Sequence, residues 1–148
     1  MDKLEAFYER YKIDEFYEKQ EEIIFEHPIR PFRRDIHKKL SHGVIPGFRN
    51  YDLWFERYRS AVEIMEKKKV IKPGDKILDV GSGEGFFKIF FDALFDGELE
   101  WNGVEVWKSR AAFCRHLGYK NVDEVDLEKG KLPYEDETFD VLIASHVI

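Results

Sequence analysis

Apolar positions at the start of the chain recur at helical spacing. Leu4, Phe7, Tyr8 and Tyr11 fall at i, i+3, i+4 and i+7, and Phe16, Gln20, Ile23 and Ile24 continue the stripe less regularly after Asp14. Two short helices are predicted. His27-Pro28 should end the second, because the residue before a proline is pushed out of the helical region. Pro31 can open a third helix, where its missing N–H costs nothing, with Phe32, Ile36 and Leu40 at steps of four. The stretch "SHGVIPGF" reads as a loop. Beyond it Trp54, Tyr58, Ala61, Val62 and Met65 mark a fourth helix, opened by Asn50 or Asp52 as N-cap and ending in Lys67, Lys68 and Lys69 at the negative end of its dipole.

After the turn "KPGD" the period changes. "KILDV" is a short aliphatic run, "GEGFFKIFFDALF" supports a helix, and "LEWNGVEVW" is strand-like. "KSRAAFCRHLG" is a helix closed by glycine, "NVDEVD" a short third strand, and "FDVLIASHVI" a continuous apolar run of the kind buried parallel strands show. Strands alternating with helices predict an α/β fold with a parallel sheet. The chain divides into a helical extension or cap over residues 1–70 and an α/β domain over residues 71–148.

Composition fits this picture: of 148 residues, 43% are hydrophobic and 36% charged, as in a globular protein rather than a disordered one. No apolar run approaches the roughly 20 residues of a membrane span, and the acidic N-terminus lacks the pattern of a secretory signal, so a cytoplasmic protein without membrane contact is expected. Cys114 has no partner for an internal disulfide, and no Cys/His cluster has zinc-ligand spacing, so no metal is expected. The net charge of −6 is unevenly spread, −5 over residues 1–26, +7 over residues 27–72 and −8 over residues 73–148.

Three glycines at alternate positions follow the first aliphatic run, in "ILDVGSGEGFF". Bare backbone where a strand turns into a helix lets a ligand approach N–H groups at the helix's positive end. A dinucleotide fingerprint reads G-x-G-x-x-G, whereas Gly81, Gly83 and Gly85 give G-x-G-x-G with Phe86 next. The pyrophosphate of a nicotinamide cofactor is therefore disfavoured, and the Gly-Lys-Ser/Thr ending of a phosphate-binding P-loop is absent.

With Asp79 before it, the triplet resembles motif I of the class I S-adenosylmethionine-dependent methyltransferases. The resemblance continues: Glu105, in "GVEVW", occupies the place of the family's ribose-binding acid, and "VDLEKGKLPYEDETFDVLIASHVI" is similar to its D-x-x-x-LP and FDV motifs, with one or two extra residues before "LPY". It implies a Rossmann-like sheet of order 3-2-1-4 and S-adenosylmethionine as cofactor. The implied cofactor residues are Asp79, Gly81, Ser82, Gly83, Gly85, Glu105 and Val106, then Asp126 for the adenine amino group, Leu127 packed on the ring, and Ser145 near the sulfonium. A carboxylate suits a ribose diol because it offers two acceptor oxygens.

Methyl transfer from a sulfonium is an in-line displacement on an activated carbon, so the protein chiefly positions the partners. His146 is the candidate base where the acceptor must lose a proton. Members of the resembled family carry seven strands, and three of them lie beyond the fourth. The chain is thus expected to be the cofactor-binding half of a catalytic domain, and the fourth strand an apolar edge open to dimerisation or to cover by the N-terminal helices. The methyl acceptor is not specified, and a non-catalytic cofactor-binding subunit or regulatory module is the alternative function.

The basic segment 27–72 admits three roles. Its arginines, lysines and aromatics suit contact with RNA or another anionic acceptor. A solvated amphipathic helix covering the sheet is the simpler alternative. In the third, which the resemblance implies, Tyr51, Trp54 or Tyr58 closes over the cofactor.

Overall fold

A computed structural model describes residues 9–12, 15–16 and 51–145, the first six of the last segment as backbone. Helix α1, Tyr51–Lys67, comes first, followed by β1 (Lys76–Val80), α2 (Phe86–Leu94), β2 (Glu100–Val104), α3 (Lys108–His116), β3 (Asn121–Asp123) and β4 (Val141–Ala144). The four strands form one parallel sheet in the order β3-β2-β1-β4. This is the Rossmann-like order that the resemblance implies.

The register explains which residues share a face. Val80 pairs with Val104 on one side and Ala144 on the other, and Val104 pairs with Asp123, so the carboxyl ends of all four strands are level. Alternation along β1 sends Ile77 and Asp79 to one face and Leu78 and Val80 to the other. The first face carries the larger core, in which Ile77, Trp101 and Val122 meet Phe86, Phe91 and Phe113 from the helices. Full burial of each such phenyl ring contributes about 1.5–3 kcal/mol. Helix α1 is fixed to α2 by the Tyr58 ring, which stacks on Phe86 at 5.1 Å and meets Phe87 edge-on at 5.0 Å. Tyr58 is accordingly a packing residue between the two helices.

On the second face, among the described residues, Leu78, Val80 and Val104 are covered by a loop, through Val125, Leu127, Leu132, Tyr134 and Phe139. The Tyr134 hydroxyl donates to Asp123, tying this loop back to the end of β3. Strand β4 pairs with β1 alone among the described residues, and its Leu142 is 57% exposed on the second face. The described residues near the N-terminus lie elsewhere: Phe16 is buried edge-on against Phe113 at 5.2 Å, and the Tyr11 hydroxyl donates to Asp92 of α2 at 3.0 Å.

Several element boundaries differ from the sequence expectation. Asp52 lies inside α1 and is not its N-cap, while Asn50 and the helices expected around Gln20 and after Pro31 fall outside the described residues. The second strand stops at Val104 and the third at Asp123, because the chain turns once the last ladder pair is made; Val125 N–H already bonds Asp123 O at 3.2 Å. Among the described residues strand β4 covers Val141–Ala144, and the end of the apolar run from His146 on falls outside them. Helix α1 ends with Lys69 at φ 54, where Lys69 N–H reaches Glu66 O and Val70 N–H reaches Met65 O, the bonding of a Schellman cap without its usual glycine.

Candidate cofactor site

The strand order makes the chain leave β1 toward β2 on one side and return through β4 on the other, so a crevice opens outside the carboxyl ends of β1 and β4. The glycine loop sits there. Gly81, Gly83 and Gly85 have φ of 67, 54 and 69, a left-handed conformation that side chains resist. Gly85 is further required by space, since a Cβ there would lie 2.7 Å from Leu117 Cδ1. At Gly83 the nearest atom to such a Cβ is Gly81 O at 4.0 Å, so this part of the loop presents an open surface.

The N–H groups of Gly81, Ser82, Gly83 and Gly85 are already committed within the protein, so these four do not stand bare for a ligand. Gly81 and Ser82 N–H both donate to Val104 O, at 2.8 and 3.1 Å, and Gly85 N–H closes a turn on Ser82 O at 2.9 Å. Gly83 N–H donates to Glu105 Oε2 at 2.8 Å. Because these bonds run to the end of β2, the loop is held rigidly, and what it offers a ligand is shape. The Cys114 thiol of α3 donates to Gly83 O at 3.2 Å and lies 3.3 Å from Ser82 Oγ, so the Ser82 hydroxyl supplies the proton of that second contact. Burial above all pushes the Cys114 thiol up, holding it protonated as this geometry needs.

Carboxylates surround the loop. Glu105, 5% exposed, bridges Gly83 N–H and Trp107 N–H, the latter to Oε1 at 3.1 Å, and its own N–H is fixed on Asp123 O. Asp79, 3% exposed at the end of β1, accepts a hydrogen bond from the Tyr119 hydroxyl at 2.8 Å. Burial pushes the Asp79 carboxyl up to about 7; the Tyr119 bond pulls it down and nearby Glu105 adds to the rise. Glu84, also raised chiefly by burial, is countered by Arg110 of α3, whose Nε lies 3.4 Å from Glu84 Oε1. Three carboxyl groups thus stand around the loop against one guanidinium, already paired with Glu84, and because burial disfavours the charged forms of Asp79 and Glu84 the site gains negative charge as pH rises. A pyrophosphate would be repelled, and a sulfonium or ammonium attracted.

The remaining sequence candidates divide. Val106, 46% exposed, stands beside Glu105 at the crevice rim, and Ser145 is half-buried one residue past the Val80–Ala144 pair. Leu127 packs on the Val80 and Val104 face. Asp126 closes its own turn: Oδ1 accepts from Glu128 N–H at 3.1 Å and Oδ2 pairs with Lys129 Nζ at 3.0 Å. Lys129 and the Glu128 N–H hold this carboxyl below the usual range. His146 lies outside the described residues. Sequence reasoning missed Cys114, Tyr119 and the Glu84–Arg110 pair, since only Cys114 carried a signal, its being the single cysteine. Among the described residues no group of His, Cys, Asp or Glu could hold a metal ion, and no helix is long and apolar enough to cross a membrane.

Comparison with solved structures finds the plantazolicin methyltransferase BpumL in complex with SAH, 20% identical over 90% of this chain and 48% of its own, with a TM-score of 0.43. BpumL with a triazolic desmethylPZN analog and SAH is similar over 88% of this chain and 47% of its own, at 20% identity and TM-score 0.43. YjhP from E. coli is 23% identical over 45% of this chain and 28% of its own, with a TM-score of 0.34. The chain thus spans about half or less of the solved chains it resembles. No curated protein matches it. The family model described as methionine biosynthesis protein MetW matches residues 59–148. That match spans more than half of the sequence and contains the glycine loop and all four strands, and the chain, with the fold of a class I S-adenosylmethionine-dependent methyltransferase, belongs to the MetW family.

Proposed function

We propose that the crevice binds S-adenosylmethionine and that the protein is a methyltransferase built on it. The observation that carries this reading is the combination of an open glycine surface at Gly83 with the carboxyl groups of Asp79, Glu84 and Glu105 gathered around the same loop. An adenosyl sulfonium brings a positive sulfur and an ammonium to those acids and a ribose diol to Glu105, whose oxygens keep lone pairs beyond the two N–H bonds they accept. Val106 offers apolar surface to the adenine. Asp126 can meet the adenine amino group with a lone pair not used by its own turn. When bound, the cofactor supplies an activated methyl carbon, and the residues of this chain orient it and exclude water.

The family's description supports a place in methionine biosynthesis, and SAH in the BpumL structures supports the choice of cofactor. The acceptor, and with it the base role of His146, belongs to the same proposal. Calorimetric titration of the folded protein with S-adenosylhomocysteine at pH 8 tests the reading: saturable one-to-one binding, not displaced by NADH, is expected. A folded sample that takes up no S-adenosylhomocysteine, or that exchanges it for NADH, would overturn it. Release of labelled S-adenosylhomocysteine from labelled S-adenosylmethionine, with acceptor present, separates an enzyme from a binding subunit.

A further inference from the structure

Tyr119 follows α3 and crosses beneath the glycine loop. Its ring is closely flanked by two glycines: a Cβ on Gly103 would lie 3.1 Å from Tyr119 Cδ1, and one on Gly85 would lie 3.3 Å from Tyr119 Cε2, so an added side chain at either would press on the ring. Trp101 closes another side with ring centroids 5.8 Å apart. The hydroxyl is thereby aimed at one acceptor, Asp79 Oδ2, at 2.8 Å. Packing alone would be served by phenylalanine, because a buried hydroxyl is costly unless it is bonded. Its bond partner is the buried carboxyl at the end of β1, directly before the glycine loop.

We propose that Tyr119 is a positioning residue for the cofactor, its hydroxyl holding the Asp79 carboxylate in place, from below the glycine loop, for the cationic end of the adenosyl sulfonium. This rests on the cofactor reading given above. The surroundings of Asp79 leave the task to Tyr119. Glu105 beyond β2 opposes ionisation of Asp79. Asp79 also acts on Cys114 of α3 and on Tyr58 of α1, neither of which carries a positive charge; Glu84 in the loop acts on the same two groups. From α2, Asp92 acts on Tyr119, and Lys88 is engaged by Asp92 at 2.6 Å. Burial raises Asp79, so its carboxylate forms only as pH rises through about 7, and the Tyr119 bond opposes that rise. Binding of a cation should therefore strengthen across this window, with release of the Asp79 proton. Without the hydroxyl the window moves to higher pH.

The test compares wild type with Tyr119→Phe in titrations of S-adenosylmethionine and of methylthioadenosine, which lacks the amino-acid end, between pH 5.5 and 9. Tyr119→Phe is expected to bind S-adenosylmethionine about fivefold more weakly at pH 7 and about tenfold more weakly at the acid end, with its pH midpoint raised by about one unit, while methylthioadenosine is unaffected. An unmoved midpoint, or equal weakening of both ligands, makes Tyr119 a packing residue and overturns the inference while leaving the cofactor reading intact. Failure of wild type to bind either ligand at any pH overturns both. Should the variant not fold, carbon NMR titration of the Asp79 carboxyl in wild type decides: saturation with S-adenosylmethionine must lower its midpoint, and a midpoint that stays put overturns the inference.

Discussion

The acids at 105 and 126 both stand at the carboxyl edge of the sheet, yet they are held in opposite ways. Glu105 is buried, and its two oxygens join Gly83 N–H to Trp107 N–H, so its position is set by tertiary structure. Asp126 is half-buried and serves Glu128 N–H and Lys129, groups of its own turn. The first carboxylate is preorganised, because moving it would break the bond that holds the glycine loop. The second is arranged locally, and a ligand has only an exposed lysine to displace. On the proposed reading, specific recognition should thus concentrate on the β1–β2 side, where fold and site are the same set of bonds.

The largest effect should come from breaking the preorganised side at Gly85. Gly85→Ala forces a Cβ to within 2.7 Å of Leu117 Cδ1 at a φ of 69. The left-handed backbone costs about 1 kcal/mol for alanine and overpacking about 1–3 more. Urea unfolding should register a loss of about 2–4 kcal/mol from these two terms. Gly74→Ala is the control, since φ there is 89 but nothing lies within 4 Å of the added carbon, so only the backbone part of about 1 kcal/mol is expected. Equal losses in the two variants would show that the loop is not tightly packed on Leu117.

Glu105→Gln sharpens the same comparison with less damage. The side chain keeps its shape, but one oxygen becomes an NH2 group facing either Gly83 N–H or Trp107 N–H, which are donors themselves. Loss of one charge-assisted bond of about 1.5–3 kcal/mol should weaken S-adenosylhomocysteine on the order of 30-fold by calorimetry. An affinity within about twofold of wild type would mean that Glu105 merely fastens the loop.

Much of this side was legible in the sequence. An aliphatic run ending in Asp79 and three spaced glycines mark a strand-to-helix turn, and left-handed φ values at all three explain why glycine is required. The sheet order followed from the resemblance. The fate of the loop's donors was not legible, because Gly83 N–H finds its acceptor 22 residues away and Tyr119 finds Asp79 at a separation of 40. Side-chain contacts of that span leave no local pattern. Asn50 and Asp52 were equal as caps by residue type, and only backbone geometry puts Asp52 inside α1.

The smallest effect should lie on the locally arranged side. Asp126→Asn removes the charge that faces Lys129 but leaves an oxygen for Glu128 N–H, so the turn closes as before and thermal unfolding should be unchanged. An adenine amino group would lose a charged acceptor but keep a neutral one, and S-adenosylhomocysteine should bind about threefold more weakly. Lys129→Ala frees the same carboxylate and should strengthen binding about twofold, a gain that fades as salt screens the exposed pair in wild type. If Asp126→Asn instead cost as much affinity as Glu105→Gln, the two acids would be equal anchors. The adenine would then be gripped as firmly as the ribose, and the crevice would owe its selectivity to both ends of the nucleoside.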